Sequence, residues 1–460
     1  MFKDKSNSTN KRFDKYMHTK RFFLTVCLLI FCGAIIFAQS NLYTLKECIE
    51  TGLEKNYSIR IIQNQEQISS NNATLGNAGY LPTVDLSGGF TGSLYDYNYD
   101  YVDGSSEKVK SVNSETANGG ININWTVFNG FGIQAEYGRL NELQQMGKLN
   151  TRIAIENLVA NISAEYYNLI RQRIRLRNLR SAVRLSAERL RIVEERYIIG
   201  SMSRLDLQQA KVDFNADSSR LLTQFETVNS SMIKLNELMG VDSVNQRIRV
   251  RDTIEINESF LNEPELWQKT MLNNSSLLAS YKNKTLSELD YKKIRSRNYP
   301  YLRLNATYGY TTNWYETGNT ELQKRLGLNY GLTMGFTIFD GMNRRREQQN
   351  ARLQVKNSEL RINELELALK ADISTIWMAY QNNLELWNLE KENLIAANEN
   401  YEIAIERYKL GDLSGIELRE AQNNLLEAEE RISIAEYNTK LCEISLMQLS
   451  GQILVYLNTE

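Results

Sequence analysis

The 460-residue chain is poor in helix breakers and in imidazole. It has 3 Pro, 25 Gly, 4 Cys and a single His, His18. Average usage is about 5 % Pro and about 7 % Gly, so the shortage of prolines and glycines predicts long unbroken elements rather than the roughly three ordinary domains that length alone would allow. His18 lies in the leader described next, so the mature chain is expected to have no histidine, which excludes Ser-His-Asp hydrolysis, His-ligated zinc and HExxH metalloproteolysis. No P-loop or dinucleotide fingerprint is present. The formal net charge is −1, which leaves no basic footprint for nucleic acid.

What is there begins with a leader. Lys11, Arg12, Lys15, Lys20 and Arg21 precede an apolar run from Phe22 to Phe37, and Ala38 offers a small residue before a cut ahead of Gln39. Residues 1–38 thus read as a secretory signal peptide. The run is short of the ~20 residues of a spanning helix. Cys32 is a weak lipidation site because bulky Phe31 precedes it. Removal of this segment takes away His18, Cys27 and Cys32 and leaves 47 basic and 53 acidic side chains, a formal charge of −6. Cys48 and Cys442 remain, too few for a disulfide framework; they read as buried free thiols.

The most informative feature is a duplication. Glu195 to Ala210, ERYIIGSMSRLDLQQA, aligns without a gap on Glu406 to Ala421, ERYKLGDLSGIELREA, at an offset of 211 residues. The same offset relates Val127–Gly130 (VFNG) to Ile338–Gly341 (IFDG), and Gly240 to Gly451; earlier in each half it becomes 218, pairing Asn56 with Asn274 and Pro82 with Pro300. The expected organisation is a first repeat over 39–240, a linker over 241–257, a second repeat over 258–451 and a tail over 452–460. Each repeat reads as helix, two strands, long helix, turn, helix.

Met342 to Leu410 contains neither Gly nor Pro over 69 residues, about 100 Å as a helix. Leu365, Leu369, Ile373, Ile376, Tyr380, Leu384 and Trp387 step by 4 and 3, and Leu418, Ala421, Leu425, Ala428, Ile432 and Ala435 do the same on the returning helix. This is coiled-coil periodicity. The first repeat predicts helices over ~133–199 and ~203–239, the second over 342–410 and ~414–450. Strands are predicted over 83–95, 118–128, 301–312 and 328–339. Along them Val84, Leu86, Phe90 and Leu94 alternate with polar or small residues, as do Ile121, Ile123, Trp125 and Val127, then Leu302, Leu304, Tyr308 and Tyr310, then Leu332, Met334, Phe336 and Ile338.

Such strands fit either a soluble sheet on a core or a membrane barrel with apolar residues toward lipid. Four strands cannot close a barrel, which needs about eight, and open edges cannot face lipid. Export, helix length and alternation favour closure shared between subunits. The segments Tyr95–Gly120 and Thr312–Gly327 read as polar outer loops. The first places Asp96, Asn98, Asp100 and Glu107 at calcium-loop offsets, but Tyr101 stands where glycine is required, so a solvated loop is favoured over a metal site.

These motifs together, strand-F-[ND]-G-long helix and then R-Y-x-x-G-x-x-S-x-x-[DE]-L in both copies, resemble the TolC family of outer-membrane efflux proteins over about residues 41–451. The resemblance implies a mainly α fold with membrane β: a homotrimer in which long coiled-coil helices form a barrel crossing the periplasm and each chain gives four strands to one 12-stranded β-barrel in outer-membrane lipid. It implies docking to a periplasmic adaptor (membrane fusion protein) and an inner-membrane pump of the RND or ABC type, and export by efflux or type I secretion. No cofactor, metal or catalytic residue is implied, and no nucleic acid partner. Pro82 and Pro300 mark helix-to-strand junctions; Phe128, Gly130, Phe339 and Gly341 mark strand-to-helix junctions. Tyr197, Gly200 and Ser203, with Tyr408, Gly411 and Ser414, look like the adaptor-contacting hairpin tips, the glycines suited to helix C-caps and the serines to N-caps.

The family's periplasmic constriction corresponds to Glu417 and Glu420, with Asp206 as the first-copy counterpart of Glu417. As a ring these carboxylates would favour cations and raise one another's pKa; the ordinary alternative is an acidic first turn favoured by the helix dipole. A family arginine is Leu413 here and the second acid of the first copy is Gln209, so the family's closed-state lock does not carry over intact. The alternative function is a structural or adhesive exported coiled-coil protein without a conduit.

Overall fold

The computed structural model describes residues 42–251, 253–256 and 261–456. The leader expected over 1–38, and with it Cys32, lies outside the described residues. In chain order the elements are β1 (Leu42–Tyr43), α1 (Leu45–Lys55), α2 (Tyr57–Asn72), α3 (Leu75–Ala78), β2 (Thr83–Asp100), β3 (Ser106–Asn129), α4 (Gly132–Ile198), α5 (Arg204–Met239), β4 (Arg249–Val250), α6 (Glu263–Asn273), α7 (Ser275–Ser296), β5 (Tyr301–Tyr315), β6 (Leu322–Gly335), α8 (Asn343–Leu410), α9 (Gly415–Leu449) and α10 (Ile453–Tyr456). Among the described residues no helix is long and apolar enough to cross a membrane. The chain divides into two units.

The first unit takes residues up to Gly52, then Ile162–Ile256 and Leu386–Tyr437. It holds the hairpins α4–α5 and α8–α9. Helices α4 and α5 run antiparallel, and their shared seam is a heptad ladder: Glu165, Gln172, Leu179, Ser186 and Val193 on α4 meet Ser231, Gln224, Asp217 and Ala210 on α5. The contacts that mark this register are Ser231 on Glu165, Gln224 Nε2 on Gln172 Oε1 at 2.9 Å, and Ser186 on Asp217. Val193 closes the ladder against Leu207 and Ala210. Linker residues Arg249 and Val250 pair in parallel with Leu42 and Tyr43, and Asn236 anchors the linker by donating to the Val244 and Gln246 carbonyls at 2.8 and 2.9 Å. Cys48 is buried and free; burial and the neighbouring Glu47 push its thiol up to about 12.

The second unit takes 53–161, 257–385 and 438–460 and holds the main sheet. Its strands lie in the order β2-β3-β5-β6, all antiparallel. The helix-to-strand turns end at Pro82 and Pro300, and β2 and β5 begin on the next residue. Asn56 and Asn274, paired by the duplication, do one job: each N-caps the helix after it, Asn56 accepting from Ser58 and Ile59, Asn274 from Leu277. The expected single first helix is thereby split at Asn56, and again before Thr74, the cap of α3.

The strand-to-helix junctions explain the F-[ND]-G motif. Asn129 caps α4 by accepting from Ile133 N at 2.9 Å, and Asp340 caps α8 by accepting from Arg344 N at 3.0 Å. The two residues after each cap take positive φ: Gly130 and Phe131 at 70° and 68°, Gly341 and Met342 at 69° and 65°. At Gly130 a Cβ would collide with the Ser296 carbonyl oxygen, so no side chain fits. Phe128 stacks edge-on against Phe131 at 5.3 Å.

Three strand expectations change. Strands β2 and β3 run to Asp100 and from Ser106, so the segment Tyr95–Gly120 is a long hairpin rather than a loop; Asp96, Asn98 and Asp100 alternate along a strand and form no metal cluster among the described residues. The segment Thr312–Gly327 is likewise mostly ladder, with only 316–321 outside strand. The last strand stops at Gly335 instead of 339. Its ladder partner β5 begins at Tyr301, directly after Pro300, and Tyr301 pairs with Gly335; Phe336 to Phe339 face no strand.

Candidate functional site

Two places assemble the expected functional residues. The first is the sheet. Opposite residues in an antiparallel pair share a face, so the register divides the sheet into two sides. One carries Val84, Leu86, Phe90, Leu94, Ile121, Trp125, Tyr308, Leu326, Leu328, Leu332 and Met334, all exposed. The other is polar and hydrogen-bonded across strands. Asn122 donates to Ser87 at 2.7 Å and accepts from Thr307 at 2.9 Å, linking β2, β3 and β5. Thr116 donates to Asn313 at 2.9 Å, and Asn313 donates to Gln323 at 3.1 Å, linking β3, β5 and β6. The stretch from Val84 to Leu94 matches the ~9–11-residue reach of a tilted membrane strand. A soluble sheet would bury that apolar side; here it is open, while the outer edges of β2 and β6 carry no strand partner among the described residues.

The second place is the pair of hairpin tips. Gly200 and Gly411 take φ of 79° and 87°, as expected of helix C-caps, and nothing lies within 4 Å of where either Cβ would sit. Each tip then starts its returning helix with a capping box. Ser203 Oγ accepts from Asp206 N at 3.2 Å and Asp206 Oδ2 accepts from Ser203 N at 3.0 Å. Ser414 and Glu417 repeat this at 3.2 and 2.9 Å. The Ser203 and Ser414 hydrogen bonds hold the Asp206 and Glu417 carboxyls below their usual range. Two of the three expected constriction carboxylates are thus hydrogen-bonded to their own helix ends. Glu420 is exposed one turn further on.

The two motif tyrosines, equivalent in sequence, differ in place. Tyr197 is 39 % exposed; Tyr408 is 1 % exposed, packed with Ala404, Leu418 and Ala421. Leu413 packs on that cluster as well. Ile192 and Met202 of the first copy pack on it too. Arg196 lies 5.5 Å over the Tyr408 ring and donates to the Lys409 carbonyl at 3.2 Å, completing the end of α8.

Two features escape a reading by sequence pattern. Ile198, Ile199, Leu205, Leu410 and Ile416 at the tips are all more than 75 % exposed, an apolar set that a self-contained turn would not display. Their signal is legible as large apolar residues inside a turn motif. The other is Asp217, fully buried in the polar seam. It accepts a bidentate pair from Arg419 at 2.6 and 2.8 Å, and Ser186 donates to it as well. Burial alone would raise its pKa, but the Arg419 and Ser186 hydrogen bonds prevail and hold it low. Arg189 pairs with Asp213 nearby and reaches the Gly415 carbonyl at 3.4 Å. The only sequence trace of Asp217 is its heptad spacing from Ala210.

The chain matches the family described as Outer membrane efflux protein over residues 49–241 and 266–452. It belongs to that family. The protein is therefore a member of the outer membrane efflux proteins, located in the cell outer membrane. It is 20 % identical over 305 residues to the outer membrane protein TolC of Vibrio cholerae, covering 65 % of this chain and 68 % of that protein. Among solved structures it is similar to the Campylobacter jejuni CmeC outer membrane channel, with a TM-score of 0.77 at 15 % identity over 89 % of this chain and 86 % of that one. The outer membrane protein VceC of Vibrio cholerae gives a TM-score of 0.73 at 15 % identity over 88 % and 96 % of the two chains. These likenesses span both repeats and carry the mainly helical fold with its antiparallel strands.

Proposed function

We propose that this outer membrane efflux protein is the exit duct of a tripartite export system: three chains close one 12-stranded barrel in the outer membrane, and their long helices continue the conduit through the periplasm to an adaptor and an inner-membrane pump of the RND or ABC type. The observation that carries the reading is the two-faced sheet. Its exposed apolar side suits lipid, its hydrogen-bonded polar side suits a lumen, and its two edges, β2 and β6, which have no strand partner among the described residues, demand partners that lipid cannot supply. A second and a third copy supply them, because three times four strands leave no edge. The alternative, an adhesive coiled coil without a conduit, gives no use to a lipid-ready face opposite a polar one.

The hairpin tips support adaptor docking. Ile198, Ile199, Leu205, Leu410 and Ile416 present apolar surface around the turns at Gly200 and Gly411, and a partner of helical hairpins would cover it. Glu417 and Glu420 are proposed as the charged narrowing at that end, with Glu420 the freer of the two. Reconstitution into planar bilayers tests both claims. A heat-modifiable trimer that conducts ions is expected, and a monomer without conductance would remove the duct. Glu417→Ala with Glu420→Ala is expected to reduce cation selectivity and divalent block; unchanged selectivity removes the ring.

A further inference from the structure

Strand β2 changes sides. From Thr83 to Leu94 its even-numbered residues are the apolar ones (Val84, Leu86, Phe90, Leu94) and its odd-numbered residues are polar (Thr83, Asp85, Ser87, Thr91, Ser93). Beyond Leu94 the characters exchange. Asp96, Asn98 and Asp100 continue the apolar face, whereas Tyr95, Tyr97, Tyr99 and Tyr101 continue the polar one. A bulge does not explain the exchange. The register steps from Tyr95↔Val112 to Tyr97↔Val109, so the extra residue belongs to β3, where Ser111 takes φ of 56° and donates its N–H to Asp96 at 2.6 Å. The alternation of β2 itself runs unbroken.

The four tyrosines form one row. Ring centroids are 6.1 Å apart for Tyr95 and Tyr97, 5.5 Å for Tyr97 and Tyr99, and 6.2 Å for Tyr99 and Tyr101; the last two pairs are stacked, with planes 14° and 24° apart. Every ring is at least 38 % exposed. Aromatic girdles of membrane barrels face lipid at the interfaces, and this row stands on the opposite side, past the end of the apolar band. The acidic side chains Asp96 and Asp100 on the other face also keep this stretch out of lipid. Glu107 lies directly across from Tyr99 and accepts from the Tyr101 hydroxyl at 2.9 Å. The neighbouring Lys108 pairs with Asn98 and belongs to the other face. The tyrosine face thus combines negative π surfaces with a carboxylate.

We infer that Tyr95, Tyr97, Tyr99, Tyr101 and Glu107 form a binding strip for organic cations that carry a planar aromatic ring, set at the outer end of the polar face. A positive charge over aromatic faces gains from the ring quadrupoles, the planar ring extends the stack, and Glu107 supplies the counter-charge. The location at a duct mouth rests on the function proposed above; the binding chemistry does not. The test uses the full-length protein in detergent and two fluorescent probes that each carry a fused planar ring system, the cation ethidium and the uncharged acridone. Tyr97→Leu with Tyr99→Leu is expected to weaken ethidium binding about tenfold. Tyr97→Phe with Tyr99→Phe keeps the ring faces and is expected to stay within about twofold. Glu107→Gln is expected to cost about threefold, from loss of the counter-charge, and native protein is expected to prefer ethidium to acridone. Ethidium affinity unchanged in the leucine pair, or equal affinity for acridone, overturns the strip. If the leucine pair loses its heat-modifiable trimer, the Phe pair and Glu107→Gln still decide. Tyrosine-dependent binding in a protein that conducts no ions would remove the duct and leave the strip; conductance with tyrosine-independent binding would do the opposite.

Discussion

The two hairpins of the duplicated unit share a sequence motif but not a seam. In the first, the α5 side of the ladder reads Ala210, Asp217, Gln224; in the second, at the same offset of 211, it reads Ala421, Ala428, Ala435. All six are buried. The first seam is held by hydrogen bonds among Ser186, Asp217, Gln172 and Gln224, whereas the second places buried alanines at those positions and ties its helices elsewhere, Arg431 donating to Glu390 at 3.0 and 3.1 Å. A buried polar residue in a coiled coil fixes register at a cost in stability, whereas small apolar residues permit close packing without specifying register. Asp217 does more than pair within its own hairpin, because Arg419 reaches it from α9. The first hairpin is therefore a register-setting element that also clamps the second.

The largest effect that would break this contrast is at Asp217. Asp217→Ala makes the first seam like the second at that position but leaves the half-buried Arg419 without its carboxylate, and a loss of about 3 kcal/mol is expected in chemical unfolding. Asp217→Ala combined with Arg419→Ala is expected to recover most of it. If the single and double variants are equally unstable, the clamp contributes nothing beyond packing.

A similar loss separates the motif tyrosines. Tyr408→Ala removes a buried ring and is expected to cost about 3–5 kcal/mol, while Tyr197→Ala at an exposed position is expected to stay within about 0.5 kcal/mol. Equal effects would mean that the two tips are equivalent in solution.

The pH dependence sharpens the contrast further. The folded carboxyl of Asp217 is held below its usual range, so its stabilisation is present above the unfolded value of about 3.9 and is lost as pH falls through the folded value. The stability gap between the native chain and Asp217→Ala is expected to hold at neutral pH and to close in acid. A gap that stays constant from neutral pH down into strong acid removes the ionic part of the clamp. A smaller loss than at Asp217 or Tyr408 is expected where the hairpins agree: Ser203→Ala and Ser414→Ala are each expected to cost about 1 kcal/mol, because each removes one side of a capping box.

Much of the fold is legible in the residues themselves. The shortage of prolines and glycines predicts the long helices, Pro82 and Pro300 predict the strand starts, and Gly200 and Gly411 predict the turns, because each is a local restriction on backbone angles. The strands of the outer hairpin read too short, since Asp- and Asn-rich sequence resembles a loop when cross-strand partners such as Lys108 and Glu107 are not in view. Asp206 and Glu417 fall on the first turns of the returning helices, but their capping role depends on a hydrogen bond with a serine three residues away. Asp217 gives no signal of its own, because a charged residue at a heptad position reads as solvated until its partner, Arg419, is known.

What the sequence alone determined is everything governed by period and by backbone permission: two copies, helix against strand, one apolar and one polar face on each strand, and left-handed turns at fixed glycines. What only the tertiary structure decided is pairing over long separations. Arg419 meets Asp217 across 202 residues, Tyr408 is buried where Tyr197 is not, and the tyrosines of β2 lie on the polar side. Periodicity is a property of neighbours along the chain, whereas burial and charge pairing depend on which distant surface arrives opposite, and a single sequence does not write that surface beside the residue it covers.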